Sequence, residues 1–562
     1  MSSSRPAPVL RAALLCAATL LASCRTAAPA PRAAAQATPV HVQLIAFNDF
    51  HGQLEPPATP FTLGPDASGK PERVDAGGVA FFARHVAQLR AQNPNTLVVS
   101  SGDLIGASPL VSALFHDEPT IEAMNLLGLD LAAVGNHEFD EGSTELLRMQ
   151  RGGCHPEDGC QDGTPFPGAR FHYLAANVKD ASGHTLFPAY EVRSFEGVKV
   201  GFIGMTLEGM ATLVTPTGIA GLHFTDEVET VNALVPKLQA EGVQAIVVLL
   251  HEGGEQAPGS RYDGCTRLTG PIVDIARGMS PAVSVIHSAH THQAYNCVLS
   301  GKRVTSAANV GRLLTVLDLS LDRASGKVLE VKARQEVVTR DVPPVPEEQA
   351  LVAHYKALSA PLEKRPVGFL QAPLRQAPGV LGPTDTGESS IGDVIADAQL
   401  EATRAQGAQL SFMNPGGIRA DIDAGEVTYG EIFTVHPFGN TMVTLTLTGR
   451  ELHQLLEQQW LGSRVRILSP SRNFTFTWST SAPEGSKVDP ASMRLDGVPV
   501  DPAKRYRVTV NSFIAAGGDG FSVLPAAGER VGGVLDLDAL QAYLHAHNPL
   551  VPPPLDRVHR VP

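Results

Sequence analysis

The sequence predicts an α/β protein of two units behind an N-terminal leader, and three observations carry that prediction. From Val40 to about Asp318, apolar runs of strand length alternate with stretches whose apolar residues recur at three and four positions. A proline-rich stretch from Pro343 to Pro346 is followed by a helical pattern, Glu347 to Leu362, that ends near Pro366. Beyond it, the two-residue alternation in Met442 to Leu447 and Tyr506 to Val510 reads as strands of a second unit. The expected organisation is a signal peptide at 1–23, a tether at 24–39, a first domain at 40–342, a linker helix at 343–366 and a second domain at 367–562.

In chain order, Arg5 and Arg11 lead into the apolar run Ala12 to Ala22, and small residues follow, as in a secretory signal peptide. The run is shorter than the roughly 20 residues a bilayer span needs. Leu21, Ala22, Ser23 and Cys24 resemble a bacterial lipobox, in which cleavage before Cys24 leaves that cysteine carrying the lipid. Ordinary cleavage near Ala33 to Ala35 would instead discard Cys24, and both readings stay open. The expectation is an exported protein, periplasmic or a lipoprotein of the outer membrane or cell surface, touching membrane only through Cys24.

Composition agrees with globular units. Hydrophobic residues make up 43% and charged residues 18% of 562, enough apolar matter for sizeable cores and too little charge for a solvating chain. Against 57 acidic residues stand 44 basic ones, a net charge of −13, which argues against a generic binder of nucleic-acid backbone. One local site can still take a small anion. Setting aside Cys16 and Cys24, the cysteines left are Cys154, Cys160, Cys265 and Cys297; in an exported chain they suggest two disulfides. The tight loop His155 to Gly159 favours Cys154 with Cys160, leaving Cys265 with Cys297, and the lack of CxxC spacing disfavours a cysteine metal site.

The runs Val42 to Phe47, Leu97 to Val99, Leu129 to Val134, Ala245 to Leu250 and Ala282 to Ile286 are nearly continuous in apolar residues, as strands buried on both faces should be. Gly78 to Gln92 and Asp226 to Ala240 read as amphipathic helices between them. Each strand is followed by metal-type ligands: Asn48, Asp49 and His51; Asp103; Asn136, His137 and Asp140; His251; then His290 and His292. Open α/β sheets carry functional groups beyond the carboxyl ends of their strands, so the five loops can converge on one crevice.

Asp49 and His51 are two apart, as are His290 and His292, and an extended chain turns such a pair to one side. Asp49, Asp103, Asn136, His51, His251, His290 and His292 form a mixed nitrogen and oxygen donor set, suited to Mn, Zn, Co or Fe more than to Ca or Mg alone. Seven ligands exceed one ion's need. Two divalent ions about 3.5 to 4 Å apart, bridged by one carboxylate, are the clamp used in phosphate ester hydrolysis. Any one of these residues alone reads as a turn former or a satisfied histidine; the grouping is the signal.

At these residues, over roughly Val40 to Pro562, the sequence resembles the bacterial 5'-nucleotidase and UDP-sugar hydrolase family of the metallophosphoesterase superfamily. The resemblance implies a calcineurin-like α-β-β-α sandwich followed by a C-terminal 5'-nucleotidase α/β domain. It implies that Asp49, His51 and His292 hold one metal, Asn136, His251 and His290 the other, and that Asp103 bridges them. His137 would stabilise the transition state and help protonate the leaving oxygen, oriented by Asp140; the competing role for Asp140 is helix capping. In the second unit, Asn414, Gly417 and Arg419 resemble the phosphate-contacting loop, Phe438 and Phe513 the pair that sandwiches the base, and Asp519 the acceptor for ribose hydroxyls. Two departures stand out. Asp385, Thr386 and Gly387 lie where the family often has an arginine, and Ala289 precedes the paired histidines where glycine is common.

The expected protein is thus a monomeric hydrolase with two divalent metals, acting on small nucleotides and not on nucleic acid. It would release phosphate from 5'-nucleotides, with nucleotide sugars and cyclic nucleotides as further substrates. Two alternatives stay open: a related metal hydrolase of another ester or sulfur substrate, and a nonenzymatic surface-binding protein on the same fold.

Overall fold

Val40–Phe47, the first apolar run, pairs in parallel with Thr96–Ser100 on one side and antiparallel with Leu313–Leu321 on the other. The computed structural model describes residues 38–66, 68–214, 217–257, 259–379, 381–382, 384–460 and 465–562, so the leader and Cys24 lie outside the described residues. The first sheet has six strands in the order Val328–Val337, Leu313–Leu321, Val40–Phe47, Thr96–Ser100, Leu131–Ala133, His172–Leu174. A second six-stranded sheet runs Ala294–Leu299, Lys302–Ala307, Val283–Ser288, Ala245–His251, Val198–Thr206, Tyr190–Phe195, with its four inner strands parallel.

The five apolar runs are therefore shared between two sheets rather than lined up in one. The sheets stack face to face over a core that includes Val42, Leu44, Val99, Val247, Leu249 and Val285. Helix Val79–Arg90 lies on the outer face of the first sheet and buries Val79, Phe82, Ala83, Val86 and Leu89, the three-and-four spacing of an amphipathic stripe. Helices Glu227–Ala240 and Pro271–Gly278 cover the second sheet. The former starts where Asp226 accepts the Glu229 N–H at 2.7 Å, an N-cap that satisfies one orphan donor. The result is an α-β-β-α sandwich. A strand covered by helices on both faces and one covered by a helix and a sheet have the same apolar pattern, which is why the sequence could not divide them.

Helix Pro346–Glu363 packs back on the first unit: the Tyr355 ring lies 4.9 Å from Phe115, and its hydroxyl donates to Glu122 at 3.1 Å. The second unit holds a five-stranded sheet in the order Ser469–Pro470, Leu410–Met413, Arg505–Asn511, Thr441–Thr448, Gly528–Leu535. Helix Ser390–Thr403, capped by Ser389, is buried along most of its length. Arg557 fastens the C-terminal strand to that helix through Asp397 at 2.9 Å. Both disulfides are present, Cys154–Cys160 and Cys265–Cys297. Among the described residues no helix is long and apolar enough to cross a membrane.

Candidate metal centre

Strand Val40–Phe47 ends in a turn that carries Asp49 and His51, and strand Thr96–Ser100 in one that carries Asp103. Strand Leu131–Ala133 leads to Asn136, strand Ala245–His251 ends on His251 itself, and His290 and His292 follow Val283–Ser288. All five strand ends face one place. Five of the seven candidate ligands have positive φ: Asp49 at 49°, His51 at 50°, Asp103 at 51°, His290 at 69° and His292 at 56°. The extended geometry expected for the paired residues is therefore not what turns them inward. Left-handed turns do so, at a strain of order 1 kcal/mol per residue that the packed sandwich sustains.

The donor atoms fall into two groups that share one carboxylate's neighbourhood. Asp49, His51 and His292 bring donor atoms within 4.8 Å of one another, and so do Asp103, His251 and His290. His51 Nε2 and His292 Nε2 face each other at 3.0 Å. The Asn136 Oδ1 lies 2.9 Å from His290 Nδ1 and 3.2 Å from His251 Nε2. Between the groups, Asp103 Oδ2 sits 3.0 Å from His251 Nε2 and 3.8 Å from His51 Nε2. The two histidines of the chain's second pair thus go to different groups.

Neighbouring atoms hold the imidazoles in the state a metal needs. His51 Nδ1 donates to the Gly106 carbonyl at 2.9 Å and His251 Nδ1 to the Ser101 carbonyl at 2.8 Å, which aims both Nε2 atoms inward. For His51, burial, seconded by His292 and His137, pushes the pKa down to about 3, so the ring is neutral. Burial acts against charging His251 too, but the Asp103 and Asp49 carboxylates outweigh it and raise it to about 10. A proton there does what a divalent cation would do better: neutralise two buried carboxylates. Imidazole nitrogens gathered within 3.0 Å of one another, and buried acids whose ion pairs among the described residues are to histidine, fit a pair of divalent cations.

Sequence reasoning passed over the residue that supports this cradle. Glu138 is buried and accepts three backbone N–H groups, from Asp103 at 2.8 Å, Leu104 at 2.8 Å and Gly135 at 2.5 Å. It joins the two loops that carry Asp103 and Asn136. Its only signal in the sequence is an acid wedged between His137 and the buried Phe139. Gly102 and Gly135 let those loops touch: a Cβ on Gly135 would lie 2.1 Å from Asp103 Oδ1. Asn48 and the 308–310 turn are a second support. Asn48 donates to the Ala308 carbonyl at 2.7 Å, and Val310 N–H donates to the Asp49 carbonyl at 2.7 Å.

His137 and Asp140 stand beside this group. His137 Nδ1 donates to Asp140 Oδ2 at 2.8 Å, and its ring centroid is 5.1 Å from that of His51. Burial lowers the His137 pKa, but Asp140 and Asp103 together carry it above its ordinary value. Asp140 does not cap the helix Ser143–Arg151, whose N-cap is Gly142.

From the second unit, the Phe438 ring stacks on His137 with centroids 5.7 Å apart and planes 17° apart. Arg419 also reaches Phe438, its guanidinium 5.7 Å from the ring centroid. Asn414 donates to Asp519 Oδ2 at 2.8 Å and is itself held by Asn511 at 2.8 Å. Asp519 is also paired with Arg466 at 3.3 Å, a residue the sequence reading did not single out. Gly417 follows Asn414 in the same turn, and a Cβ there would meet Met413 at 2.5 Å. Phe513 packs its ring on Gly518, at 2.6 Å from where a Cβ would stand. At the first departure, Asp385 closes a turn by accepting the Gly382 N–H at 2.7 Å. A cavity of about 330 Å³ opens beside His292, lined by Phe61, Glu255, Gln256, Arg261 and Tyr262.

Comparison with known proteins agrees with this architecture. Residues 42–294 match the calcineurin-like phosphoesterases and residues 366–526 match the 5'-nucleotidase C-terminal domain. Endonuclease YhcR of Bacillus subtilis is 32% identical over 518 residues, covering 90% of this chain and 40% of that protein. Cell wall protein Lmo0130 of Listeria monocytogenes is 31% identical over 526 residues, 88% of this chain and 66% of its own length. The chain thus spans less than two thirds of these two relatives. The crystal structure of the 5'-nucleotidase precursor from Thermus thermophilus superposes with a TM-score of 0.74 at 29% identity, covering 93% of this chain and 99% of that one. The chain belongs to the 5'-nucleotidase family of the calcineurin-like metallophosphoesterases.

Proposed function

We propose that the protein is an exported dinuclear-metal phosphohydrolase that releases phosphate from 5'-nucleotides. One observation carries the reading: seven metal-type ligands, the His137–Asp140 pair and the Arg419–Phe438 pair meet at one place. In this reading Asp49, His51 and His292 hold one cation, Asn136, His251 and His290 the other, and Asp103 lies between them. Mn, Zn and Co suit the donor set. When bound, the cations supply Lewis-acid charge to the phosphoryl oxygens.

The chain's own residues do the rest. Asp140 fixes His137 through Nδ1, which leaves Nε2 to hold a proton for the departing ester oxygen. Arg419 offers a planar fork to the phosphate, and Asn414 and Gly417 shape the loop that delivers it. In this reading Phe438 and Phe513 take the nucleobase, and Asp519, held by Asn414, accepts from the ribose hydroxyls. The working domains are 40–342 and 367–562, joined by 343–366. Nucleotide sugars and cyclic nucleotides belong to the same proposal as further substrates of this site. Export rests on the leader and agrees with the cell wall protein among the relatives; lipidation at Cys24 and a monomeric state belong to the same proposal.

A panel of AMP, UMP, UDP-glucose, a cyclic nucleotide and nitrophenyl phosphate tests the substrate class. Release from the nucleotides well above that from nitrophenyl phosphate, and a loss of that preference in Phe438→Ala, is the expected result. Equal turnover of all five, unchanged by Phe438→Ala, would refute the nucleotide assignment.

A further inference from the structure

His116 and His155 stack their rings 3.8 Å apart with planes 11° apart, away from the ligands assigned above. Glu141 Oε2 lies 2.8 Å from His116 Nδ1, and Asp158 Oδ2 lies 2.9 Å from His116 Nε2 and 3.5 Å from His155 Nδ1. His116, Glu141, Glu145 and His155 each bring a donor atom into a group no wider than 4.8 Å. Glu145 is already engaged, because Arg148 takes both its oxygens and also pairs with Glu118. Among the described residues, the ion pairs of Glu141 and Asp158 are to histidine and not to arginine or lysine. Two imidazoles stacked this closely repel if both are protonated, so at least one is neutral; the Asp158 N–H donates to His155 Nδ1 at 3.2 Å, which marks His155 as the neutral ring.

We propose that His116, His155 and Glu141 form a third metal site, selective for zinc, that serves structure rather than catalysis. With Asp158 as the fourth ligand, two imidazoles and two carboxylates close a four-coordinate zinc set and leave no open position, as a structural site requires. Zinc binds such nitrogen donors more tightly than manganese does, so the site would separate the two ions. Its ligands come from three separate segments. His155 sits inside the Cys154–Cys160 loop, which holds its backbone in place before metal arrives. Glu141 directly follows Asp140, the partner of His137. His116 precedes Asp117, whose Oδ2 accepts the Gly106 N–H at 2.9 Å, and the Gly106 carbonyl in turn holds His51. A cation at this point would pin the turn bearing Asp140 and the loop that orients His51 to the disulfide loop.

The test is zinc content of the full-length protein by mass spectrometry, after chelator stripping and dialysis against micromolar zinc chloride. Wild type is expected to retain one zinc more than His155→Ala and Glu141→Gln, about three per chain against about two. The readout is a difference of one ion, so it holds whether or not the proposed catalytic pair fills. Glu141→Gln changes no side-chain volume and guards against a variant that fails to fold. Equal zinc content in wild type and both variants, with His116 acting only as an imidazolium between Glu141 and Asp158, would overturn the proposal.

Discussion

Replacing Glu138 by Gln is the perturbation that most directly probes how the candidate centre is built. In the native chain one buried carboxylate takes three backbone N–H groups at 2.8, 2.8 and 2.5 Å, two on one oxygen and one on the other. Glutamine keeps the volume and can keep an oxygen toward the Asp103 and Gly135 donors. Its amide nitrogen must then face the Leu104 N–H, which leaves a buried donor unpaired at about 1 to 3 kcal/mol. The two remaining bonds lose their charge assistance, about 1 kcal/mol together after allowing for the relief of a buried anion. The sum is about 2 to 4 kcal/mol. Urea unfolding at pH 8 in chelator measures it without any contribution from bound metal. The same variant should bind metal about 10-fold to 100-fold more weakly, because the loops of Asp103 and Asn136 lose their common anchor. An unfolding free energy and a metal affinity both within about 0.5 kcal/mol of wild type would refute the role given to Glu138.

Other perturbations follow from the same geometry. Asp140→Asn should lower turnover about 100-fold while metal content stays at the wild-type value, since Asp140 holds His137 and no candidate ligand; unchanged turnover would remove it from the mechanism. Arg419→Lys keeps the charge and loses the fork, so KM for AMP should rise about 10-fold with a smaller change in kcat. In metal-free protein, hydrogen bonding and charge from Glu141 raise the His116 pKa from 6.5 to about 9. The folded state therefore gains stability that is complete below pH 6.5 and lost as pH rises through about 9. Because its carboxylate partners are half exposed, the loss should be about 1 kcal/mol, read as a pH-dependent drop in Tm that His116→Ala lacks.

The sequence made the metal-type residues legible because each follows an apolar run directly, and proximity in the chain became proximity in space. What it hid are contacts between loops. Glu138 is one residue from His137, but its meaning lies in the N–H groups of Asp103 and Leu104, about 35 positions upstream, whose approach requires Gly102 and Gly135 to pack back to back. The 308–310 turn carries no chemical signature at all. Its hold on Asp49 and on Asn48 is made by backbone atoms at the end of a late strand. The i and i+2 spacing of Asp49 with His51 pointed to a pair that the fold does bring together, for a reason the structure replaces: left-handed turns, which Asp, Asn and His tolerate better than most residues, turn both inward. The two-sheet architecture was equally silent in periodicity and came only through the family resemblance, since apolar runs record that a strand is buried and not what buries it.

Phosphate release from AMP by chelator-stripped protein, titrated with manganese chloride, tests the central claim most directly. The account predicts no release in the stripped protein, and activity that returns in full at about two manganese ions per chain and is abolished by Asp103→Asn. Release that persists in excess chelator, or that Asp103→Asn leaves intact, would contradict it.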